Sequence, residues 1–319
     1  MKVLVTGANG FVGTAVCRRL LAERWTVVAA LRQTHAMPDG VETRIVEPLG
    51  PTTSWTKALH GIDAVVHLAG RAHVMRETEA DPAAIFRAVN TAGTLHLAQQ
   101  AAAHGVHRFV FMSSTKVNGD VTGEKPFTFE DAPAPLDAYG RSKWEAEQGL
   151  AHLAHGGGGH FHVTVFRPPL VYGPGVRGNF LSLLRTVKAG WPLPLGAIDN
   201  RRSLIFVDNL ADAVATALRE PAGQFETFLP SDGEDISTPD LIRRVGRLMG
   251  APPRLLPVPT SWLLLAGGLL GRGAAVKRLT GSLQVRGTAL RERFGWVPPT
   301  TLDQGLATTV DWFKAKYGI

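Results

Sequence analysis

Cysteine is nearly absent from this chain of 319 residues, and long apolar runs are absent altogether. The single thiol, Cys17, excludes an intramolecular disulfide framework and fits a reducing compartment. The sequence opens directly into an apolar strand pattern without a recognisable secretory signal. We therefore expect a cytoplasmic protein.

The most apolar stretch, residues 262–270, is nine residues long, whereas a helix that spans a bilayer needs ~20. We therefore expect no transmembrane segment. Thr260 and Ser261 can cap the stretch as a helix. The pattern predicts a core or packing helix, with a membrane-surface or partner contact as the alternative.

Features typical of nucleic-acid and metal binding are also missing. The net charge of +7 suits an anionic ligand, but the basic residues are scattered and form no stripe with aromatic platforms. The glycine tract between His155 and His160 contributes only two metal-ligating side chains. We expect no nucleic-acid partner and no metal site.

The first half of the chain alternates short β-branched runs with helical patterns. Apolar runs such as 64–68 and 109–112 are typical of strands covered on both faces, as in a parallel sheet. The alternation predicts an α/β, Rossmann-like doubly wound parallel sheet. The predicted strands are 2–6, 26–31, 43–46, 63–68, 107–112 and 162–167, and the predicted helices are 11–23, 54–60, 82–104 and 137–154.

Beyond about residue 170 the chain becomes richer in proline and glycine and its elements become shorter. We predict a dinucleotide-binding domain over 1–170 that also includes the later segment at about 200–220. The remainder of 171–319 is predicted to form mainly a smaller C-terminal substrate lobe. The elements predicted here are a strand at 204–207 and helices at 208–219, 237–249 and 302–316.

A glycine-rich turn connects the first strand to the first helix. Glycines at this point let the backbone approach a pyrophosphate, which then lies at the positive end of the helix. The spacing is G-x-x-G-x-x-G rather than G-x-G-x-x-G. The cofactor contacts predicted in this turn are Gly7, Asn9, Gly10, Phe11, Val12 and Gly13.

Tyr139 and Lys143 are four residues apart in a predicted helix and therefore share one face. An ammonium group near a phenol stabilises the phenolate and lowers a pKa that is ordinarily ~10. The pair is therefore a candidate general acid or base for a hydroxyl or a carbonyl.

Further motifs accompany the turn and the Tyr–Lys pair, and the whole set resembles the extended short-chain dehydrogenase/reductases, the nucleotide-sugar epimerase/dehydratase group. The resemblance implies the same α/β fold, a nicotinamide cofactor in the N-terminal domain, a nucleotide sugar between the lobes and a homodimer. The motifs are Thr6–Gly13, His67–Gly70, Asn90–Thr94, Ser113-Ser114, Tyr139-x-x-x-Lys143, Arg167-Pro168, Val171–Pro174 and Arg202–Asp208.

The resemblance also implies residue roles. Ser114 aligns with the hydroxyl beside Tyr139 that bonds the C4 oxygen of the sugar, and Lys143 would also hold the nicotinamide ribose. The further cofactor contacts implied are Leu68, Ala69, Gly70, Asn90, Tyr139, Lys143 and Pro168. The substrate contacts implied are His73, Ser114, Asn179, Arg202 and Arg278, with Arg202 as the main diphosphate ligand.

The end of the second strand selects between cofactors. A carboxylate there binds the ribose of NAD, whereas an arginine suits the 2′-phosphate of NADP. This chain has Arg32 and no carboxylate at that point, which favours NADP(H) while NAD(H) stays possible. Glu47 stands where relatives often carry an aspartate for the adenine.

The residues after Ser114 separate the possible reactions. The dehydratases of the family have an Asp-Glu pair where this chain has Thr115 and Lys116, so elimination is disfavoured. Residues 71–75, 113–119, 178–180 and 196–203 are most similar to bacterial 4-keto-reductases of UDP-6-deoxy-N-acetylhexosamines, which work in O-antigen (lipopolysaccharide) synthesis. We expect such a UDP-sugar reductase, with a UDP-sugar 4-epimerase as the alternative. A non-catalytic NADP(H)-binding regulator is the least favoured of the three.

Overall fold

The computed structural model describes residues 1–71, 81–156 and 159–318. Its main sheet contains seven parallel strands: β1 (Lys2–Thr6), β2 (Thr26–Leu31), β3 (Val41–Ile45), β4 (Ala64–His67), β5 (Arg108–Met112), β6 (His162–Phe166) and β9 (Phe225–Phe228). The spatial order is β3-β2-β1-β4-β5-β6-β9. The order reverses between β1 and β4, which creates a crevice at the carboxyl ends of these two strands.

Helices cover both faces of the sheet, because successive side chains of a strand point to opposite sides. Val3 and Val5 of β1 belong to one core cluster, whereas Leu4 belongs to the other. The predicted doubly wound α/β fold is confirmed. The helices are α1 (Phe11–Ala22), α2 (Thr56–Leu59), α3 (Pro82–Phe86), α4 (Gly93–Ala103), α5 (Ala138–Gly156), α6 (Gly178–Lys188), α7 (Val207–Arg219), α8 (Thr238–Met249), α9 (Thr260–Leu269), α10 (Gly273–Thr280), α11 (Thr288–Phe294) and α12 (Leu302–Tyr317).

The two faces draw their helices from different parts of the chain. Helices α1 and α7 pack together in the first cluster, and α4 and α5 contribute to the second. Strand β9 also comes from the C-terminal half, where it extends the sheet beyond β6. The sheet and its helical layers therefore use chain from both sides of residue 170.

A second, smaller sheet lies in the C-terminal half. It has the order β10-β8-β7, in which β7 (Leu170–Tyr172) runs parallel to β8 (Arg202–Phe206) and β10 (Asp235–Ile236) runs antiparallel to β8. The buried carboxylate of Asp232 accepts hydrogen bonds from the Tyr172 hydroxyl at 2.8 Å and from the Asn209 amide at 2.7 Å. This cluster ties β7 to α7.

The predicted helix over 82–104 is wrong in one respect, because it is not a continuous α-helix. A π-helical segment, Arg87–Ala92, separates α3 from α4 and contains the fully buried Asn90. The side chain of Asn90 has hydrogen-bond partners outside the helix, which stabilise it in the interior. Strands β7, β9 and β10 and helices α6, α10 and α11 lie where no element was predicted.

The apolar stretch at 262–270 forms α9, but Thr260 and Ser261 lie within the helix and do not cap it, since Pro259 is at the N-cap. The helix is also not a core helix. Trp262, Leu265 and Leu269 are 70%, 67% and 81% exposed. Helix α9 packs on α10 where a β-carbon on Gly267 would lie 2.6 Å from the Val276 side chain. The prediction of burial failed because an apolar run shows that a helix has apolar faces, not that another element covers them.

Candidate functional site

The glycine turn lies at the reversal of strand order and leaves no room for side chains. Gly7 has a φ of +67°, and a β-carbon on it would lie 2.8 Å from the Ala69 nitrogen. A β-carbon on Gly13 would lie 2.1 Å from the Gly7 carbonyl oxygen. Helix α1 begins at this turn without a side-chain cap, so its first N–H groups form a positive end at the crevice. The turn fits the pyrophosphate of a dinucleotide.

The segment after β4 runs beside this turn and is held by a buried chain of polar groups. The Ala69 N–H donates to the Thr6 hydroxyl at 3.1 Å. His67, which is fully buried, lies 2.7 Å from the Thr6 hydroxyl through Nδ1 and 2.9 Å from the Thr94 hydroxyl through Nε2. Burial lowers the pKa of His67 to about 3, assisted by the charge of Lys143. The imidazole is therefore a neutral brace for the segment at residues 68–70.

Asn90 links that segment to the helix that carries Tyr139. Its side chain accepts from the Arg71 N–H at 2.8 Å and donates to the Arg71 carbonyl at 3.0 Å. Its amide also donates to the Ser142 hydroxyl at 3.1 Å, and Ser142 donates to the Tyr139 carbonyl at 2.8 Å. Asn90 therefore braces the segment at residues 68–71 against α5, and its role as a cofactor contact stays a prediction.

Tyr139, Ser114 and Lys143 converge at the carboxyl end of β5. The Tyr139 side chain forms a hydrogen bond with Ser114, and the Lys143 ammonium lies 6.0 Å from the Tyr139 ring centre. Burial raises the pKa of Tyr139 to about 12, although the hydrogen bond with Ser114 acts in the opposite direction. The charge of Asp137 adds to the effect of burial, so the pKa of Tyr139 shifts in the direction opposite to the lowering predicted from the Tyr–Lys spacing.

Lys143 is buried, and its ammonium group donates to the Met112 carbonyl at 2.9 Å. The group also lies over the Phe111 ring at 4.6 Å. Burial lowers the pKa of Lys143 to about 8, and the charge of Glu147 acts against that change. The structure thus maintains a costly buried cation next to Tyr139, which is typical of a functional site.

A buried ion pair behind the site was missed by the sequence analysis. Glu147 accepts from Arg167 in a bidentate arrangement with a shortest distance of 2.6 Å, and it also accepts from the Ser113 hydroxyl. Arg167 donates to Asn118 at 3.1 Å. The spacing of Lys143 and Glu147, four residues on one helical face, is the signal that could have indicated this network.

Two of the predicted cofactor-binding side chains are exposed to solvent. Arg32 follows β2 directly and is exposed, and Asn9 is exposed within the glycine turn. Glu47 is exposed beyond β3.

Pro168, which is buried, accepts from the Thr115 N–H at 3.2 Å through its carbonyl. The remaining predicted turn residues, Phe11 and Val12, are partly buried in the first turn of α1.

Of the predicted substrate residues that the structure describes beyond Ser114, Arg202 is half-buried and the other two are exposed. Arg202 donates to the Arg278 carbonyl at 2.8 Å and to the Gly281 carbonyl at 3.1 Å, and its burial lowers its pKa. Arg278 is exposed on α10. Asn179 is exposed at the beginning of α6, and His73 lies outside the described residues.

Lys116 stands where the dehydratases of the family have an acid, and its side chain is paired with carboxylates instead. Its ammonium pairs with Asp120 and, at 3.2 Å, with Asp137. Asp137 also accepts from the Gly140 N–H at 2.7 Å at the beginning of α5. The position after Thr115 therefore serves to hold the loop before α5.

In residues 1–71, 81–156 and 159–318, no three His, Cys, Asp or Glu side chains form a group able to hold a metal ion. Of the helices that the structure describes, none combines the length and the apolar character needed to cross a bilayer.

Comparison with known proteins identifies relatives over the whole chain. The profile of the "NAD dependent epimerase/dehydratase family" matches residues 3–228. A "UDP-glucose 4-epimerase" of Vibrio cholerae is 43% identical over 315 residues, which are 98% of this chain and 95% of that protein. An "N-acetyl-alpha-D-glucosaminyl-diphospho-ditrans,octacis-undecaprenol 4-epimerase" of Escherichia coli O157:H7 is 27% identical, with 98% and 95% coverage.

Among solved structures, a Thermus thermophilus UDP-glucose 4-epimerase in complex with NAD superposes with a TM-score of 0.78. The match covers 98% of this chain and 99% of that chain at 24% sequence identity. At this identity the likeness supports the fold alone.

Proposed function

Because the chain belongs to the NAD dependent epimerase/dehydratase family, we propose that it is an oxidoreductase that exchanges a hydride with C4 of a UDP-hexose. The observation that carries the proposal is the convergence of Ser114, Tyr139 and Lys143 beside the glycine turn. A non-catalytic dinucleotide-binding protein has no need for a buried lysine next to a tyrosine.

Three side chains have separate roles in interconverting the C4 hydroxyl and the C4 ketone of the sugar. A nicotinamide dinucleotide whose pyrophosphate is held at the glycine turn would supply the hydride acceptor or donor. Tyr139 takes the O4 proton when C4 is oxidised and returns it when the ketone is reduced, while Ser114 orients the same oxygen. Lys143 stabilises the phenolate of Tyr139 whenever the proton has left. Positioning of C4 between these groups supplies the remainder of the acceleration.

Epimerisation at C4 is the first candidate for the net reaction. It is supported by the Vibrio cholerae relative, whose identity of 43% extends over nearly the whole of both chains. The Escherichia coli relative is also named as a 4-epimerase, although of a diphospho-undecaprenol sugar. The two named substrates share a hexose on a diphosphate, the group that the predicted ligand Arg202 suits by its planar donor geometry.

Net reduction of a 4-keto sugar with NADPH is the second candidate. Arg32 at the end of β2 favours it, since a net reductase draws on the NADPH pool.

One pair of assays separates the candidates. We expect an epimerase to convert UDP-N-acetylglucosamine into its 4-epimer without added reductant, which nuclear magnetic resonance detects directly. A reductase leaves that sugar unchanged and instead oxidises NADPH with a 4-keto UDP-sugar. Inactivity of the pure protein in both assays, with UDP-glucose tried as well as the epimerase substrate, would contradict the proposed function itself.

Tyr139→Phe tests the catalytic assignment. We expect kcat to fall roughly 10²- to 10⁴-fold because the proton relay is lost. Dinucleotide binding, measured by fluorescence, should change little. Tyr317→Phe, near the end of α12, is the matched control and should retain full activity.

A further inference from the structure

The helical hairpin formed by α9 and α10 presents its most apolar side chains to solvent. Trp262, Leu265 and Leu269 follow the spacing i, i+3 and i+7, so they lie on one face of α9. They are 70%, 67% and 81% exposed, and Leu270, directly after the helix, is 75% exposed. The opposite face, at Gly267, packs on α10. A helix as apolar as α9 is normally buried, and here its largest side chains are exposed.

The hairpin that carries this apolar face also carries exposed cations. Arg272 in the connecting turn and Lys277 and Arg278 on α10 are all exposed. The sequence contains no aspartate or glutamate between Asp240 and Glu292. The same interval contains nine cations, namely Arg243, Arg244, Arg247, Arg254, Arg272, Lys277, Arg278, Arg286 and Arg291.

We propose that the face of Trp262, Leu265 and Leu269, with the cations of α10 beside it, docks the protein on the surface of an anionic phospholipid membrane. Leucine and tryptophan side chains insert at the boundary between headgroups and acyl chains, and flanking lysines and arginines bind anionic headgroups. A second copy of the chain fits less well, because an isologous contact would place the same cations of both copies together.

The hairpin is linked to the predicted substrate region. Arg202 donates to the Arg278 carbonyl at 2.8 Å, and the Asn200 amide donates to the Leu279 carbonyl at 3.2 Å. Both bonds join the last turn of α10 to the beginning of β8. Docking through α9 therefore anchors the diphosphate-binding side of the enzyme at the bilayer surface.

Vesicle sedimentation tests the surface directly, with the full chain and without any sugar substrate. We expect co-sedimentation with vesicles of phosphatidylcholine and phosphatidylglycerol, weaker binding to phosphatidylcholine alone, and a loss of binding as salt is raised. Leu265→Ser should lower vesicle affinity roughly tenfold, because one buried leucine is lost from the contact. Leu136→Ser is the matched control, since Leu136 is also 67% exposed but lies far along the chain.

Charge and position are tested separately. Lys277→Glu should weaken binding to anionic vesicles several-fold more than Arg18→Glu, an exposed cation on α1. Quenching of tryptophan fluorescence by brominated lipid should be largely lost in Trp262→Phe, although six other tryptophans remain of the seven in the chain.

Three results would overturn the proposal: no binding to anionic vesicles, equal binding of the Leu265 and Leu136 variants, or dissociation of an oligomer by Leu265→Ser with vesicle binding unchanged. The last result would assign the face to a contact between protein copies. None of them bears on the reaction at C4, which is assayed in solution with a sugar substrate.

Discussion

Tyr139 is half-buried and Lys143 is buried, so water stabilises their charged forms poorly. Burial raises the pKa of the phenol to about 12 and lowers the pKa of the ammonium to about 8. The spacing of four residues predicts correctly that the two side chains share a face of α5. The pKa values of these two groups depend on residues that are distant in sequence and exclude water, such as Phe111 and Met112 around the Lys143 ammonium. A local sequence pattern therefore cannot predict these pKa values.

Lys143→Met should separate stability from activity. The folded chain holds a buried ammonium whose pKa falls from 10.5 to about 8, so removing the charge should stabilise the protein by about 1 to 3 kcal/mol. Activity should fall by at least tenfold. Urea unfolding and the sugar assay measure the two effects. Lys116→Met removes a half-buried cation that is paired with two carboxylates, so it serves as control and should not raise stability. A destabilised Lys143 variant would contradict the argument.

His67 should remain neutral well below the ordinary pKa of histidine. Its pKa falls from 6.5 to about 3 in the folded protein, so the unfolded chain binds a proton that the folded chain does not. The stability linked to this group is fully present above pH 6.5 and is lost progressively as the pH falls towards 3. Nitrogen-15 spectra of the imidazoles at pH 5 provide the measurement, and a protonated His67 in the folded protein would refute the prediction.

At the scale of elements, the turn between β1 and α1 combines local and distant constraints. The glycines are visible in the sequence, but the reason for each differs: Gly7 needs a positive φ, and Gly13 needs space against the Gly7 carbonyl. The π-helical segment before α4 shows the opposite case. Its residues read as an ordinary helix, and only the contacts of Asn90 with Arg71 and Ser142 explain it.

Gly13→Ala should disrupt the turn. The added β-carbon would lie 2.1 Å from the Gly7 oxygen, a backbone atom that cannot move without shifting the first turn of α1. We expect a loss of about 1 to 3 kcal/mol in unfolding free energy and at least a tenfold loss in dinucleotide affinity. Gly123→Ala has open space around its β-carbon and should stay close to wild type. Equal behaviour of the two variants in thermal melts and cofactor titration would contradict the clash.

At the scale of the whole molecule, the C-terminal half completes the N-terminal sheet. Strand β9 pairs with β6, and α7 packs on α1. The division at residue 170 with a return at about 200–220 stays a prediction, since contacts alone do not measure how independently two parts fold. The C-terminal lobe depends on pairings such as Tyr172 with Asp232, which are 60 residues apart.

A fragment ending at residue 170 should therefore fail to fold as a stable unit. It would expose the edge of β6 and the apolar surface of α1 that α7 covers. The full chain should unfold in urea with coincident transitions by circular dichroism and tryptophan fluorescence. A cooperative, monomeric fragment over 1–170 would instead show an autonomous N-terminal domain.

The sequence by itself determined the strand–helix alternation, the glycine turn and the common face of Tyr139 and Lys143. These features follow from backbone sterics and side-chain periodicity over a few residues. Only the tertiary structure decided the buried Glu147–Arg167 pair, the neutral state of His67 and the exposure of α9. Each depends on which distant parts of the chain exclude water from a side chain, and desolvation is a property of the assembled fold.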